Sequence, residues 1–296
     1  EDFFMEKIWI AGAKGHVGSA LCDLLDCRHY EILPTDLEEV DITDRESVSN
    51  YVRVSRPDVL INCVGFGDIA SCEAQPDKAY QVNTVGARNL AVQAQAIGAK
   101  LIHLSTDDVF SHHARQPYNE FEIPTPSTIY GKSKLEAEEQ LLKLKTEEFT
   151  VSIVRPPMIY GKNCTGNYIS LEKLAKLTPI FPKIANERSM LYIDNLSEFL
   201  YRITESKLGG IYCPQNRKYV NTSDMVVRIA ENYDRKVWLV PGFQGIITLL
   251  AKKINIFAKV FGSLTYDWKM SFPEELGDYE VTDFLESIIE SKNEEK

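Results

Sequence analysis

The sequence lacks the patterns that define several large classes of protein. Its six cysteines are scattered, with no C-x-x-C pair and no companion histidines at metal-ligand spacing. This argues against a disulfide framework or a metal site, and it predicts reduced thiols in a cytoplasmic protein. No uncharged apolar run reaches the length of a membrane span.

Positive charge is also scarce. The formal net charge is −10 at pH 7, so most of the surface would repel polyphosphate and we expect no nucleic-acid partner. The hydrophobic fraction is 44% and the charged fraction 26%, which is typical of a soluble globular protein. With 296 residues the chain has room for one or two domains.

Short apolar runs alternate with helical patterns through the first half of the chain. The nearly continuous runs predict strands covered on both faces. They lie at residues 7–12, 30–36, 58–65, 99–106 and 149–156. Helical spacing of apolar residues falls between them, most clearly over 17–25 and 76–98. Strands alternating with helices predict an α/β fold with a doubly wound parallel sheet.

After about residue 160 this alternation breaks. Shorter elements follow, with strands predicted near 190–193, 209–213 and 236–241 and helices beginning at Leu196 and Thr222. We therefore predict a nucleotide-binding domain over 5–160 and a smaller lobe over 161–290. One or two late segments are expected to return to the first sheet.

The first predicted strand runs directly into a glycine-rich turn and a helix, in "IAGAKGHVGSA". That order is what dinucleotide binding requires, whereas the glycines alone would equally suit a tight turn. The first glycine permits the turn, the second lets backbone approach a pyrophosphate, and the third lets the helix pack on the strand. The cofactor-binding residues predicted here are Gly12, Lys14, Gly15, His16, Val17 and Gly18.

Asp36 ends the second predicted strand, where a carboxylate would accept hydrogen bonds from the adenosine ribose. This favours NAD over NADP, because a 2′-phosphate would meet a negative charge, whereas Lys14 favours the phosphate. We expect NAD or NADP, with NAD preferred. Asp41 and Ile42 are predicted to reach the adenine, although a helix N-cap by Thr43 or Asp44 is an equally good use of this turn.

The chain resembles the extended short-chain dehydrogenase/reductases that modify nucleotide sugars, the NAD-dependent epimerase/dehydratase family. The segments "RPDVLINCVG", "LIHLSTDDVF", "PSTIYGKSKLEAEE" and "VRPPMIYG" stand in the family's order and spacing. The first half is most similar to the dTDP-4-dehydrorhamnose reductases, which share the S-T-D-x-V-F pattern and the short gap to Tyr130. The resemblance implies a Rossmann sheet, a C-terminal substrate-binding lobe and a nucleotide-sugar substrate.

The resemblance also implies a catalytic group of three residues. Tyr130 would exchange a proton with the sugar oxygen, and Thr106 would hydrogen-bond that oxygen. Lys134 lies one helical turn after Tyr130, so it shares the same face. The positive charge of Lys134 would lower the pKa of the phenol. Its ammonium group would also bind the nicotinamide ribose. Without the family pattern, a chance pair in a surface helix is the alternative.

Other residues match the family's cofactor and substrate positions. Cofactor contacts are implied for Cys63, Val64, Gly65, Asn83, Arg155 and Pro156, and substrate contacts for Asp107, Asp108 and Arg188. Asn83 equally suits a buried amide that bridges backbone. Arg188 would bind the substrate pyrophosphate, which suits its planar bidentate donor, or would be a solvated surface residue. Asn195 replaces the family's usual aspartate, a change expected to affect packing of the lobe.

The reaction itself is left with several alternatives. The first half favours a reductase of a 4-keto sugar, whereas the second half also suits a 4-epimerase of a UDP-sugar or a polyprenyl-linked sugar. Asp107 and Asp108 keep a 4,6-dehydratase open, because paired carboxylates can act as acid and base. A regulatory subunit that only binds the cofactor is the non-enzymatic alternative.

The most apolar stretch of the chain covers residues 242–264. Its helical spacing and its lysines suit an amphipathic helix resting on a membrane surface. The alternative is an apolar face that closes the substrate lobe or forms a homodimer contact.

Overall fold

The computed structural model describes residues 5–26, 28–110, 117–164, 167–251 and 261–293. The chain divides into two compact units. One, here called the sheet unit, contains residues 1–111, 123–156 and 196–213. The second unit contains residues 112–122, 157–195 and 214–296.

Six parallel strands form the centre of the sheet unit. They are β1 (Lys7–Ala11), β2 (Glu31–Thr35), β3 (Val59–Asn62), β4 (Lys100–Leu104), β5 (Val151–Val154) and β9 (Gly210–Tyr212). Their order across the sheet is β2-β1-β3-β4-β5-β9. The order reverses between β1 and β3, so a crevice opens at the carboxyl ends of these strands, where doubly wound sheets bind ligands. The predicted doubly wound parallel sheet is confirmed.

Helices connect the strands of this unit. They are α1 (His16–Asp26), α2 (Arg45–Ser55), α3 (Ile69–Ala74), α4 (Pro76–Tyr80), α5 (Ala87–Ile97), α6 (Ile129–Leu144) and α8 (Ile193–Glu205), whose first three residues belong to the second unit. The helical stretch predicted over 76–98 is interrupted by a π-helical segment, Gln81–Gly86. Such segments interrupt the regular helical hydrogen-bond register and frequently occur at functional sites.

Both faces of the sheet are covered. Every residue of β3 and β5 is buried. Trp9 of β1 is also fully buried; its indole N–H donates to Thr35 Oγ1 at 2.8 Å, and its ring centroid lies 4.7 Å from that of Tyr51. Burying such a side chain stabilises the fold by about 2–3 kcal/mol. The strand ends that carry the candidate site therefore start from a well-packed core.

The second unit contains short strands and further helices. β6 (Met158–Tyr160) pairs in parallel with β8 (Met190–Tyr192), and β7 (Ile180–Pro182) pairs in parallel with β10 (Trp238–Val240). The helices are α7 (Asn167–Leu177), α9 (Thr222–Asn232), α10 (Gln244–Ala251), α11 (Trp268–Ser271) and α12 (Phe284–Glu290). α9 begins where the sequence predicted, whereas α8 begins three residues before the predicted Leu196.

Asn195 holds several segments of the second unit together. Its side-chain amide donates to Asn216 Oδ1 at 3.0 Å and to the Thr282 carbonyl oxygen at 2.9 Å. Its Oδ1 accepts from the backbone N–H groups of Val281 and Thr282. An aspartate would lack both amide donors, so the residue at this position affects packing, as the sequence indicated.

The apolar stretch predicted over 242–264 is described only in part, because residues 252–260 lie outside the described residues. In α10, the side chains of Ile246 and Leu249 are 59% and 57% exposed, whereas Ile247 is buried. Across the described ranges, the helices are all too short or too polar to cross a bilayer.

Candidate active site

The turn between β1 and α1 has room for backbone but not for side chains. A Cβ on Gly18 would lie 2.2 Å from the carbonyl oxygen of Gly12, and one on Gly12 would lie 2.9 Å from Val64 N. Gly12 also has a φ of +84°, which favours glycine. α1 therefore begins directly over the ends of β1 and β3, and its first N–H groups have no partner within the helix. This cradle fits a dinucleotide pyrophosphate.

The end of β2 is tied to the same turn. Asp36 Oδ2 accepts from the backbone N–H of Lys14 at 3.1 Å. The ammonium group of Lys14 forms ion pairs with Glu38 and, at 3.7 Å, with Glu39. The one cation that favoured NADP in the sequence is therefore paired with carboxylates next to the expected ribose position.

Asp41 and Ile42 have local roles in the structure. Asp41 Oδ1 accepts from the backbone N–H and the hydroxyl of Thr43, at 2.9 and 2.7 Å. Ile42 is buried and lies against Gly86, where an added Cβ would meet Ile42 Cδ1 at 2.6 Å. Asp44 caps α2 by accepting from the Glu46 N–H at 3.0 Å, so the N-cap alternative describes Asp44. Adenine contacts of Asp41 and Ile42 stay predictions.

Thr106 and Tyr130 come together where β4 ends and α6 begins. The Thr106 hydroxyl lies beside the Tyr130 phenol. It donates to Asp107 Oδ1 at 3.3 Å and accepts from the Asp108 N–H at 3.2 Å. Thr128 caps α6 by accepting from the Gly131 N–H at 2.9 Å. A Cβ on Gly131 would lie 2.3 Å from the carbonyl oxygen of Asp108. Glycine directly after Tyr130 is thus what lets the two segments approach this closely.

The pKa of Tyr130 is raised above its ordinary value. Burial of the phenol is the largest cause of the rise. The negative charges of Asp108 and Asp107 raise the pKa further, while the neighbouring Thr106 hydroxyl lowers it. The net shift of the Tyr130 pKa is thus opposite to the lowering that Lys134 alone would give, because the loss of hydration outweighs the effects that favour the phenolate. The phenol keeps its proton at neutral pH, as a proton donor must.

Lys134 is 2% exposed, and its Nζ donates to the carbonyl oxygen of Leu104 at 2.6 Å. Burial lowers the pKa of Lys134 to about 8, and the charge of Glu138 opposes this shift. A Cβ on Gly65 would lie 3.7 Å from Lys134 Nζ and 3.8 Å from Asn83 Oδ1. The segment after β3 therefore passes directly beside the lysine.

Asn83 is buried in the π-helical segment, and its amide bridges backbone. Oδ1 accepts from the Phe66 N–H at 2.8 Å, and Nδ2 donates to the Phe66 carbonyl oxygen at 3.1 Å and to Ser133 Oγ at 2.9 Å. Gly67 follows, where an added Cβ would lie 3.9 Å from the Tyr130 ring. The backbone-bridging alternative describes Asn83, which holds residues 65–67 against α6.

A family model described as the RmlD substrate binding domain matches residues 5–241. The chain belongs to this family. It is 32% identical over 228 residues to the spore coat polysaccharide biosynthesis protein SpsK of Bacillus subtilis (strain 168), covering 77% of this chain and 79% of that protein. It is 31% identical over 208 residues to a dTDP-4-dehydrorhamnose reductase of Aggregatibacter actinomycetemcomitans, covering 70% of each.

A solved structure supports the same family membership. The dTDP-4-dehydrorhamnose reductase of Bacillus anthracis, crystallised in complex with NADP, matches with a TM-score of 0.73 and 30% identity. The match covers 82% of this chain and 86% of that one. The family resemblance inferred from the sequence is confirmed.

In this RmlD family member, the side chain of Arg155 forms an ion pair with Glu138. Its Nε lies 3.0 Å from Glu138 Oε1 and its Nη2 lies 2.6 Å from Glu138 Oε2. The carbonyl oxygen of Pro156 accepts from the Asp107 N–H at 3.1 Å, which joins the end of β5 to the turn after β4. Cofactor contacts of Arg155 and Pro156 stay predictions.

Arg188 lies in the second unit. It is 7% exposed, and its Nη1 donates to the Gly262 carbonyl oxygen at 3.2 Å. The alternative of a solvated surface arginine is therefore wrong. Its role toward the substrate pyrophosphate stays a prediction.

Three polar residues around the site were not predicted from the sequence: Ser105, Ser133 and Glu138. Glu138 follows Lys134 at the same four-residue spacing by which Lys134 follows Tyr130, so helical periodicity was a usable signal. The two serines have partners in distant segments of the chain, and no local pattern points to them.

Proposed function

We propose that this protein is an NAD(P)H-dependent reductase that converts the 4-keto group of a nucleotide-linked sugar into an alcohol. One observation carries the proposal: the Thr106 hydroxyl lies beside the Tyr130 phenol, with Lys134 buried one helical turn further on. The glycine turn after β1 supports the cofactor. The relatives named as dTDP-4-dehydrorhamnose reductases support a dTDP-linked 6-deoxy-4-keto sugar as substrate.

The residues of this site divide the chemistry between them. Bound NAD(P)H would supply the hydride to the ring carbon. Tyr130 gives its phenolic proton to the former keto oxygen, and Thr106 hydrogen-bonds that oxygen. The raised pKa of Tyr130 keeps the proton in place until then. Lys134 stabilises the phenolate that forms and binds the ribose, since a nearby cation favours the charged phenol.

Turnover of a 4-keto sugar tests the proposal. Purified protein is mixed with dTDP-4-dehydrorhamnose and NADPH or NADH, and nicotinamide absorbance is followed. We expect one equivalent of cofactor to be oxidised for each sugar reduced. Tyr130→Phe should lower kcat by about 100-fold or more, because general acid catalysis typically contributes that much. Tyr80→Phe in α4 is the matched control and should keep wild-type kcat. Full turnover by Tyr130→Phe contradicts the proposal.

Other outcomes would identify the alternatives. Interconversion of UDP-sugar epimers, by protein that retains NAD through purification, would identify a 4-epimerase. Loss of water from a nucleotide-linked hexose that still carries its 6-hydroxyl, giving a 4-keto-6-deoxy sugar, would identify a dehydratase and give Asp107 and Asp108 an acid–base role. Cofactor binding without any of these activities would identify a regulatory subunit.

We also propose a cytoplasmic location, which the described thiols support, because Cys22, Cys63, Cys72 and Cys164 lie outside any disulfide. The homodimer and the weak membrane-surface contact through residues 242–264 stay predictions. The exposed side chains of Ile246 and Leu249 in α10 are compatible with either.

A further inference from the structure

Glu138 is a carboxylate held out of water inside the sheet unit. It is 1% exposed. Its Oε1 accepts from Arg155 Nε at 3.0 Å and from the hydroxyl of Ser105, and its Oε2 accepts from Arg155 Nη2 at 2.6 Å. A buried ion pair of this kind adds little net stability over apolar side chains of similar volume. A role in stability alone is therefore a weak explanation for it.

The contacts of Glu138 join α6 to the ends of two strands. Ser105 directly precedes Thr106, and its backbone N–H donates to the Val154 carbonyl oxygen at 2.7 Å. Arg155 directly follows β5, and its N–H donates to the Tyr212 carbonyl oxygen at 2.8 Å. The carboxylate of Glu138 is thus the point at which α6, β4 and β5 meet.

Two successive turns of α6 bind consecutive residues of the chain at the end of β4. Lys134 donates to the carbonyl oxygen of Leu104 at 2.6 Å, and Glu138 accepts from the hydroxyl of Ser105. The next residue is Thr106, whose hydroxyl lies beside the phenol of Tyr130 in the first turn of the same helix. The position of Thr106 relative to the phenol therefore depends on the hydrogen bond between Glu138 and the preceding residue, Ser105.

We infer that Glu138 is a positioning residue: with Ser105 and Arg155 it fixes Thr106 and the ammonium group of Lys134 relative to the phenol of Tyr130. This inference rests on the proposed function, since it assigns Glu138 a part in the same reaction. Glu138 itself is not expected to touch sugar or cofactor.

The charges around Lys134 give this role an electrostatic signature. Glu138 on α6 and Cys63 after β3 act on the lysine, and the lysine in turn acts on His103 of β4. Burial raises the pKa of the Cys63 thiol to about 12 and lowers that of His103 well below its ordinary value, so both are neutral near pH 7. Glu138 is the member of this set that supports the positive charge of Lys134.

The variant that tests the inference is Glu138→Gln, which keeps the size of the side chain and removes its charge. Glu139→Gln, an exposed neighbour on the same helix, is the matched control. NADH binding is measured by fluorescence titration across pH. Without the carboxylate charge the pKa of Lys134 falls further, so the alkaline weakening of NADH binding should begin at lower pH in Glu138→Gln. Glu139→Gln should follow wild type.

Turnover supplies the second readout. We expect kcat of Glu138→Gln to fall between about 10- and 100-fold, with KM for the sugar nearly unchanged, because misplaced groups slow chemistry more than binding. Wild-type kcat together with a wild-type pH dependence of NADH binding would overturn the inference, even if the variant melts earlier. The binding measurement needs no sugar, so an absence of keto-sugar reduction by wild type would refute the proposed function separately.

Ser105→Ala keeps the test decisive if Glu138→Gln does not fold. This change removes only the hydroxyl that Glu138 binds and leaves its pair with Arg155 intact. We expect kcat to fall by about tenfold while the unfolding temperature changes little. Unchanged kcat in Ser105→Ala would overturn the positioning of Thr106 by Glu138.

Discussion

At the scale of single residues, the site depends on ionisable side chains whose burial disfavours their charged forms. Burial lowers the pKa of Lys134 to about 8 and raises that of Tyr130. Both shifts oppose formation of the charged side chain. The buried charge of Lys134 therefore lowers the free energy of unfolding at neutral pH. Ionisable groups with shifted pKa values of this kind cluster at functional sites.

Replacing Lys134 by methionine should stabilise the cofactor-free protein at pH 7. An unfolded lysine has a pKa of about 10.4, and the folded value is about 8. Unfolded chain therefore binds more protons between these values, so the charge of Lys134 destabilises the fold below pH 8 and ceases to do so as pH rises toward 10.4. After subtracting about 1 kcal/mol for the lost bond to Leu104, we expect a gain of about 2 kcal/mol at pH 7.

Urea unfolding at several pH values measures this gain. The advantage of Lys134→Met over wild type should shrink between pH 8 and pH 10. Lys132→Met, at an exposed position on the same helix, is the control and should show no such trend. A Lys134→Met protein that is less stable than wild type at pH 7 would show that burial of the charge is not the dominant cost.

Cofactor choice is also decided by single residues. Asp36, Glu38 and Glu39 surround Lys14 at the end of β2. We expect NADH to bind about tenfold more tightly than NADPH at low salt, because the 2′-phosphate would face three carboxylates. This difference in affinity should shrink as added salt screens the carboxylate charges. The double variant Glu38→Gln, Glu39→Gln releases Lys14 and should tighten NADPH binding while changing NADH little. Fluorescence titration measures both, and equal wild-type affinities would contradict the expectation.

At the scale of helices and strands, α1 must lie almost in contact with the turn that precedes it. Gly18→Ala should destabilise the protein by about 3 kcal/mol, because the backbone atoms that meet the new Cβ have little freedom to move. NADH affinity should fall by more than about tenfold, since the helix N-terminus shifts. Thermal unfolding and NADH titration measure the two effects.

Gly245→Ala is the control for that change. Gly245 lies in α10, and an added Cβ meets no heavy atom within 4 Å. Alanine there should be neutral or stabilise by up to about 1 kcal/mol through helix propensity. If Gly18→Ala behaved like Gly245→Ala, the close approach of α1 to the glycine turn would not constrain residue 18.

Local sequence patterns predicted the strands and turns whose formation depends on residues close together in the chain. Apolar runs located the first five strands, and the glycine spacing located the turn before α1. The π-helical interruption at Gln81–Gly86 has no such pattern, because it accompanies hydrogen bonds of Asn83 to Phe66 and Ser133. The direction of the Tyr130 pKa shift was missed for the same reason: it depends on burial by segments distant in the chain.

At the scale of the whole molecule, cofactor binding should appear as a rise in thermal stability. A ligand at 100 times its Kd stabilises the folded state by about 2.7 kcal/mol when it does not bind the unfolded chain. For a protein of this size we expect the unfolding temperature to rise by roughly 5–10 °C with saturating NADH. Circular dichroism follows the transition, and Gly18→Ala should show a smaller rise. An unchanged temperature would mean that the glycine turn does not bind the dinucleotide.

The pairing of β9 with β5 also affects the order in which the protein can be made. β5 is an interior strand of the finished sheet, yet its outer neighbour Gly210–Tyr212 is translated long after it. A nascent chain on the ribosome therefore presents an apolar strand with open hydrogen-bonding groups until residue 212 emerges. Fragments that stop before β9 should therefore be prone to aggregate, because β5 would remain an open edge strand.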